Sequence, residues 1–294
     1  MNNRQRTAFA LALTAVIAFP AMAQTIDAGR GPVPLTVPKD YAAAVPTPLV
    51  VSLHGYSGSG EGHDRRWGIS ALADRYNFLT IAPDGEREIG GDGNRYWNAS
   101  SACCNFNGTD TDDSAYLRRI IDQVKASYNV DAARVYVVGH SNGGFMSYRM
   151  AYEHSDVVAA IVSLAGANHV EQREAPSHPV HVLQIHGTDD STIAYRGGEI
   201  QGNRYPGASA SVTRWAQYNG CDGSVASREM RDLDASLPGH ETGVMKINAG
   251  CKDGGSAELW TISDGAHSPV YSDTWGEQIV EWLLAHPKPG HLLD

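Results

Sequence analysis

The sequence lacks an apolar segment that is long enough to cross a lipid bilayer as a helix. Its most apolar run covers residues 8–19, whereas a membrane helix needs roughly 20 apolar residues. Arg4 and Arg6 precede this run, and a small-x-small pattern at 21–23 follows it. These features predict a signal peptide over residues 1–23 and a secreted protein, extracellular or periplasmic, with no membrane attachment after cleavage.

Positive charge is also scarce, with 23 Lys and Arg against 33 Asp and Glu and a formal net charge of −10. The first 23 residues contain two Arg and no acid, so their removal would change this charge to −12. A net-acidic surface disfavours nucleic acid and anionic lipid as main partners. Residues 24–294 also lack repeats, low-complexity tracts and linkers, and we therefore expect them to form a single α/β domain.

Cysteine is rare, and the His and Cys residues do not have the spacing of a zinc site, so we expect no metal. Four cysteines in an exported chain favour disulfide bonds. Cys221 with Cys251 would close a surface loop, and we rank this pairing first. Cys103 and Cys104 are adjacent, so they would either form a strained vicinal bridge or stay reduced.

Short apolar runs alternate with segments of helical spacing along the rest of the chain. This alternation predicts a mostly parallel sheet flanked by helices. The segment 196–255 is rich in Gly and polar residues and is a candidate for an irregular insertion. The main predicted strands are 49–53, 78–82, 134–138, 157–164, 180–185 and 259–262, and the main predicted helices are 116–124, 145–154, 211–218 and 276–284.

A Gly-x-Ser-x-Gly motif centred on Ser141 lies between a β-branched strand and a helical stretch. A sharp strand-to-helix turn needs small neighbours, here Gly139 and Gly143, and it lifts the Ser hydroxyl to the positive end of the following helix. A glycine-rich turn with an incidental Ser is the alternative. The strand before the motif and the helix after it favour a nucleophilic Ser141 in an α/β-hydrolase fold.

A Ser hydroxyl is a weak nucleophile until a base takes its proton, and in this fold the chain order is Ser, acid, His. His267 lies in a turn after the last predicted strand and is the best candidate base. Asp189 and Asp190 both follow the strand 180–185, and only one of them can orient His267. Asp264 is a more distant candidate, because it is too close to His267 in sequence.

Backbone N–H groups must stabilise the negative charge that develops on the substrate carbonyl oxygen. One donor is expected from Asn142, the residue after the nucleophile. The other is expected from Tyr56, in the glycine-rich loop after the early strand. A glycine-rich loop can also bind phosphate, but this loop lacks the Lys-Ser/Thr ending of a P-loop.

With these motifs in order, the chain resembles the esterase family that includes polyhydroxybutyrate depolymerases, mycobacterial LpqC-type lipoproteins and feruloyl esterases of carbohydrate esterase family 1. The similarity extends from about residue 49 to 268, which is most of the chain. The matching stretches are 53–56, 97–99 with Cys103-Cys104, 112–113, 134–144, His186-Gly187-Thr188-x-Asp190 with Tyr195, and Gly265-x-His267.

The resemblance selects Asp190 over Asp189 as the acid, because the family pattern His-Gly-Thr-x-Asp places it fifth. It also suggests substrate-binding roles for Tyr56, Trp97, His140 and Tyr195, although Trp97 could equally pack in the core. The sequence departs from the family at two places. Ile-Ala-Tyr replaces Val-Pro-Tyr at 193–195, and the Trp that often follows the base is absent at 265–269.

We therefore expect a serine carboxylic ester hydrolase that needs no cofactor and loses activity in acid as His267 becomes protonated. The expected substrates are polymer-linked esters, either feruloyl and acetyl esters of polysaccharide or polyesters such as polyhydroxybutyrate, and the segment between residues 164 and 180 is too short for a large lid. The alternatives are aromatic polyester hydrolysis, acyl transfer, peptide cleavage, and a secreted binding protein without catalytic activity.

Overall fold

The computed structural model describes residues 24–90, 92–171, 173–225 and 227–293. The predicted signal peptide at 1–23 lies outside these residues. In the part of the chain that is described, no helix is long and apolar enough to cross a membrane.

Strands and helices alternate through most of the chain. The strands are β1 (Thr25–Ile26), β2 (Val33–Thr36), β3 (Thr47–Leu53), β4 (Leu79–Ile81), β5 (Glu86–Arg87), β6 (Arg95–Tyr96), β7 (Val130–His140), β8 (Ala160–Leu164), β9 (His181–Gly187), β10 (Gly197–Ile200), β11 (Asn203–Pro206), β12 (Gly223–Val225), β13 (Met230–Arg231), β14 (Thr242–Ala249) and β15 (Ala257–Ile262). The α-helices are α1 (Gly60–Trp67), α2 (Ala73–Tyr76), α3 (Asp113–Ser127), α4 (Asn142–Glu153), α5 (Ala208–Tyr218) and α6 (Trp275–Leu284). Short 3-10 turns cover Ser70–Leu72 and Gly290–Leu292.

The main sheet is parallel in its centre and antiparallel at both edges. Its strand order is β1-β2-β4-β3-β7-β8-β9-β15-β14-β12, and β13 also pairs with β14. The neighbouring strands from β4 to β15 pair in parallel, whereas the outer strands pair antiparallel. Parallel neighbours need crossover connections, which several of the helices supply. The structure confirms the predicted mostly parallel sheet flanked by helices.

Helices cover both faces of the sheet because successive side chains of a strand point to opposite faces. In β7, Val135 and Val137 join one apolar cluster, and Tyr136 and Val138 join the other. Helices α3 and α4 pack into the first cluster, and α6 and the end of α1 pack into the second. The described residues between β8 and β9 form neither a helix nor a strand, so they contain no lid.

The carboxyl ends of the parallel strands lie along one edge of the sheet. Gly139 at the end of β7 is opposite Leu53 at the end of β3. Gly187 at the end of β9 is opposite Ile262 at the end of β15. The loops that follow β3, β7, β9 and β15 therefore begin side by side.

The segment 196–255 is more regular than its composition suggests. It contains the β10–β11 hairpin, α5 and the three antiparallel strands β12, β13 and β14. The interpretation as an irregular insertion was therefore wrong for most of it. Strand β14 extends the sheet beside β15. It was not predicted because it is half exposed and its sequence is not a continuous apolar run.

Two disulfide bonds use all four cysteines. Cys221 pairs with Cys251, as ranked first from the sequence, and links the loop after α5 to the loop after β14. Adjacent Cys103 and Cys104 form the second bond. The first bond closes a long stretch of chain, with a sequence separation of 30.

We expect the double variant Cys221→Ser/Cys251→Ser to lose about 3–4 kcal/mol of unfolding free energy, because the bond restricts the unfolded chain over this separation. Urea denaturation under non-reducing conditions measures the difference. The variant keeps Cys103 and Cys104, so the comparison isolates one bond. Equal unfolding free energies of the variant and the non-reduced wild type would contradict the expectation.

Candidate active site

Ser141 occupies a strained turn between the end of β7 and the start of α4. Its φ of 54° and ψ of −118° lie where residues with a side chain are rare. A Cβ on Gly139 would lie 2.2 Å from the carbonyl oxygen of Gly143. A Cβ on Gly143 would lie 2.2 Å from that of Leu53. The turn therefore closes only with glycine at both positions.

Backbone hydrogen bonds hold the turn against the sheet and the helix. The Ser141 N–H donates to the carbonyl oxygen of Leu164 on β8 over 2.8 Å, and the Ser141 carbonyl accepts from Phe145 in α4. The Ser141 hydroxyl thus projects beside the positive end of the α4 dipole. This position favours the negative charge that develops during attack by an oxygen nucleophile.

Three side chains from three loops form one hydrogen-bonded chain. His267 Nε2 lies 2.9 Å from Ser141 Oγ, and His267 Nδ1 lies 2.8 Å from Asp190 Oδ2. The carboxylate can only accept, so Nδ1–H donates to it and leaves the Nε2 lone pair to accept the Ser141 hydroxyl. The arrangement can remove the proton from a Ser hydroxyl as that oxygen attacks a carbonyl group.

The acid and the base meet because β9 and β15 are parallel neighbours. The Asp189 N–H donates to the carbonyl oxygen of Gly265 over 3.0 Å and ties the two loops together. A Cβ on Gly187 would lie 2.1 Å from that same oxygen, so the close approach requires glycine. The side chain of Asp190 points inward to His267, whereas Asp189 is exposed.

Asp190 is a buried carboxylate with its oxygens fully engaged. Oδ1 accepts from the backbone N–H groups of Thr192 and Ile193, both over 2.8 Å, and Oδ2 faces His267 and His186. Burial acts to raise the pKa of Asp190, but the hydrogen bonds from His186, His267 and the backbone outweigh it and hold the pKa well below its usual range. The carboxyl group therefore stays ionised beside His267 at neutral pH.

His186 is a supporting residue that the sequence analysis did not single out. Its Nε2–H donates to the Ile193 carbonyl oxygen over 2.8 Å and lies 3.2 Å from Asp190 Oδ2. Its Nδ1 accepts from Gln184 Nε2, which assigns the tautomer. His186 opens the matched His-Gly-Thr-x-Asp motif, and that position was the signal that could have identified it.

The two expected oxyanion donors belong to segments that adjoin Ser141. Asn142 begins α4, where the first N–H groups have no acceptor within the helix. Its side chain is held by Trp97, whose N–H donates to Oδ1 over 2.7 Å and whose carbonyl accepts from Nδ2 over 2.9 Å. Tyr56 follows Gly55, at which a Cβ would lie 3.4 Å from Ser141 Cβ. The loop after β3 thus passes directly beside the Ser141 side chain.

A cleft of about 520 Å³ opens above Ser141 and His267. In the described part of the chain, no group of three or more His, Cys, Asp or Glu residues could hold a metal ion. The cleft is lined by His54, Gly55, Tyr56, Ser57, Gly58, Ser59, Gly62, His63, Arg66, Trp67, Arg95, His140, Ser141, His267, Ser268 and Tyr271.

Of the three other residues expected to contact substrate, His140 lines the cleft, whereas Trp97 and Tyr195 do not. His140 lines the cleft, and its Nε2–H donates to the His267 carbonyl oxygen over 2.9 Å. Trp97 is 0% exposed and donates from Nε1 to the His54 carbonyl oxygen, so it is a core residue and not a cleft wall. Tyr195 bonds Thr261 Oγ1 and packs edge-on against His186, and it lines a separate surface pocket. The structure thus favours the core alternative for Trp97, and it places Tyr195 outside the lining of the cleft.

Comparison with known proteins places the chain in a family. Residues 34–243 match the family described as "Esterase PHB depolymerase", and this match covers more than half of the sequence. The chain belongs to that family. The resemblance inferred from the sequence motifs is therefore confirmed.

Proteins that are similar to this chain in sequence include esterases and depolymerases. Feruloyl esterase B of Piromyces equi is 27% identical over 240 residues, which cover 79% of this chain and 41% of the relative. Poly(3-hydroxyalkanoate) depolymerase C of Paucimonas lemoignei is 30% identical over 148 residues, covering 50% of this chain and 34% of the relative. The chain thus spans less than half the length of these two relatives.

Structural comparison supports the fold. The acetyl xylan esterase from Aspergillus awamori superimposes with a TM-score of 0.59 at 18% identity, over 88% of this chain and 98% of that protein. At this identity the likeness shows the fold alone. This chain adopts the α/β-hydrolase fold.

The buried side chain of His140 makes the stability of the fold depend on pH. Burial, with further contributions from His267 and Arg66, lowers the pKa of His140 to about 4. The unfolded chain binds this proton near the ordinary pKa of about 6.5, whereas the folded protein does not. Stability linked to His140 is therefore fully present above pH 6.5 and is lost as the pH falls toward 4.

Between pH 7 and pH 4.5, we expect the unfolding free energy of His140→Gln to fall by about 2 kcal/mol less than that of the wild type. Chemical denaturation of the wild type and the variant at both pH values measures this difference. Each protein is compared with itself, so any constant loss from the removed hydrogen bond to His267 cancels. Identical pH dependence in the two proteins would show that His140 is protonated in the folded state as readily as in the unfolded chain.

Proposed function

We propose that this protein is a secreted serine carboxylic ester hydrolase that cleaves polymer-linked esters through an acyl-enzyme on Ser141. The observation that carries the proposal is the hydrogen-bonded chain from Ser141 through His267 to Asp190, with distances of 2.9 and 2.8 Å, at the floor of an open cleft. Membership of the esterase PHB depolymerase family supports the same reaction class.

In the first half of the reaction, Ser141 Oγ attacks the ester carbonyl while His267 Nε2 accepts the hydroxyl proton. The tetrahedral intermediate carries its negative charge on the former carbonyl oxygen. The backbone N–H groups of Tyr56 and Asn142 stabilise that oxygen, and each donor is typically worth about 3 kcal/mol. His267 then gives its proton to the departing alcohol oxygen, which leaves the acyl group on Ser141.

In the second half, His267 accepts a proton from a water molecule as that water attacks the acyl carbonyl. The intermediate collapses, Ser141 regains its proton from His267, and the carboxylic acid leaves. Asp190 stays ionised throughout because its hydrogen bonds hold its pKa far below neutral. It keeps the His267 ring in position and stabilises the imidazolium form. The reaction requires no cofactor.

The substrate class follows from the shape of the cleft and from the family. No lid covers the cleft in the described part between β8 and β9, so a chain longer than the scissile ester can extend out of it. The names of relatives in sequence refer to feruloyl esters, to acetylxylan and to poly(3-hydroxyalkanoate). We therefore propose feruloyl or acetyl esters of polysaccharide, or a polyester of hydroxy acids, as the substrates.

The Ser141→Ala variant should lose about 10⁴-fold or more in kcat on every ester that the wild type hydrolyses, because no other group replaces the nucleophile. The measurement is hydrolysis of methyl ferulate, acetylated xylan, short 4-nitrophenyl esters and polyhydroxybutyrate by both proteins.

Labelling with a fluorophosphonate provides the control for this panel. The folded wild type should react, and both the heat-denatured wild type and Ser141→Ala should not. A folded wild type that neither reacts nor hydrolyses any ester would instead indicate a binding protein. Comparable hydrolysis by both proteins would place the nucleophile elsewhere.

Asp190→Asn should lower kcat by about 10⁴-fold with little change in KM, because an amide favours the wrong His267 tautomer. Asp189→Asn is the matched control, since it makes the same chemical change at the adjacent exposed position. Steady-state kinetics on one 4-nitrophenyl ester compares the two variants. A larger loss in Asp189→Asn than in Asp190→Asn would reverse the assignment of the acid.

A further inference from the structure

The cleft carries positive charge although the protein as a whole is acidic. Among its described lining residues, Arg66 and Arg95 are the only ones with a permanent charge, and no Asp or Glu lines it. The whole sequence has a formal net charge of −10. The charged residues that line the cleft are therefore opposite in sign to the protein as a whole, a feature of sites that attract an anion.

The two arginines differ in what already binds them. Arg95 forms an ion pair with Asp84 over 2.8 Å, so its charge is largely neutralised. Arg66 takes part in no ion pair with any residue that the structure describes, and its guanidinium lies over the ring of Tyr271, 5.6 Å from the ring centroid. Arg66 is exposed, so its N–H donors remain available within the cleft that Ser141 and His267 also line.

A second unused polar group lies on the same face of α1. His63 and Arg66 are three residues apart and thus neighbours on one helix face, and both line the cleft. His63 is 7% exposed and packs on Trp67 at 4.7 Å between ring centroids, yet its Nε2 has no hydrogen-bond partner among the described residues. A buried nitrogen without a partner is unfavourable by about 1–3 kcal/mol, and a turn of the His63 ring that exposes Nε2 to a ligand oxygen in the cleft relieves this cost.

We propose that His63 and Arg66 form a subsite for a carboxylate group carried by the ester substrate. A carboxylate offers only acceptors, and the planar guanidinium of Arg66 presents matching donors that can bind it through two oxygens. Ester hydrolysis makes such groups itself, because each cut in a chain of hydroxy acids leaves a terminal carboxylate. Acidic sugars of a polysaccharide carry the same group. The subsite rests on the proposed esterase function and refines its substrate class.

The carboxylate can lie on the acyl side or on the alcohol side of the scissile ester. Two matched pairs of substrates distinguish these two positions. On the acyl side, mono-4-nitrophenyl glutarate is compared with 4-nitrophenyl butyrate. On the alcohol side, 4-acetoxybenzoate is compared with its methyl ester. The members of each pair also differ in intrinsic reactivity, but this difference is the same for every protein. A change between two proteins in the ratio of kcat/KM for the anionic ester over the neutral one therefore reports recognition of the carboxylate.

Arg66→Gln should lower this ratio at least about tenfold in one of the two pairs, chiefly through KM, because a hydrogen-bonded charge is lost. Arg65→Gln is the matched control. It removes the same charge from the next residue, which pairs with Glu61 and does not line the cleft. It should leave both ratios unchanged. For the wild type, added salt should lower the affected ratio by screening the attraction.

Each outcome decides the proposal. A drop in one pair confined to Arg66→Gln supports the subsite and tells on which side of the ester it acts. Ratios that Arg66→Gln leaves unchanged, or that Arg65→Gln lowers equally, would overturn it and make Arg66 an ordinary solvated cation. If the wild type hydrolyses neither neutral ester nor any other ester in the panel, the proposed function fails, and the subsite fails with it.

Discussion

The close approach of three backbone segments around Ser141 is the constraint on which the rest of the site depends. The end of β3, the end of β7 and the start of α4 pass so near one another that a single added carbon at Gly139 or Gly143 would overlap a carbonyl oxygen. That contact forces Ser141 into its unusual backbone conformation and raises its hydroxyl above the sheet. It also brings the loop carrying Tyr56 close to Ser141 and to the start of α4.

The second half of the site depends on the pairing of β9 with β15. Their ends are in register, so the turns that follow them touch, and Asp190 and His267 meet although they are distant in sequence. Burial alone would make a charged Asp190 unfavourable. The backbone N–H groups of its own turn and the imidazole of His186 compensate, and they turn a buried acid into a permanent anion beside His267.

Local motifs predicted the parts of the molecule whose physics is local. The β-branched run before Ser141 and the glycines around it require a strand, a tight turn and a helix, and these are present as β7 and α4. The central parallel strands were predicted in the same way, because strands buried on both faces are continuous apolar runs. The edge strands escaped prediction, since β1 and β13 are two residues long and β14 is half exposed.

The sequence by itself determined the fold class, the family and the residues that could form a nucleophile, an acid and a base, because motif, spacing and chain order restrict these choices. The resemblance also distinguished Asp190 from Asp189. Only the tertiary structure decided which side chains face the cleft. Trp97 and Tyr195 point elsewhere, and His63 and Arg66 on α1 line it, because the direction of a side chain depends on packing between segments that are distant in the chain.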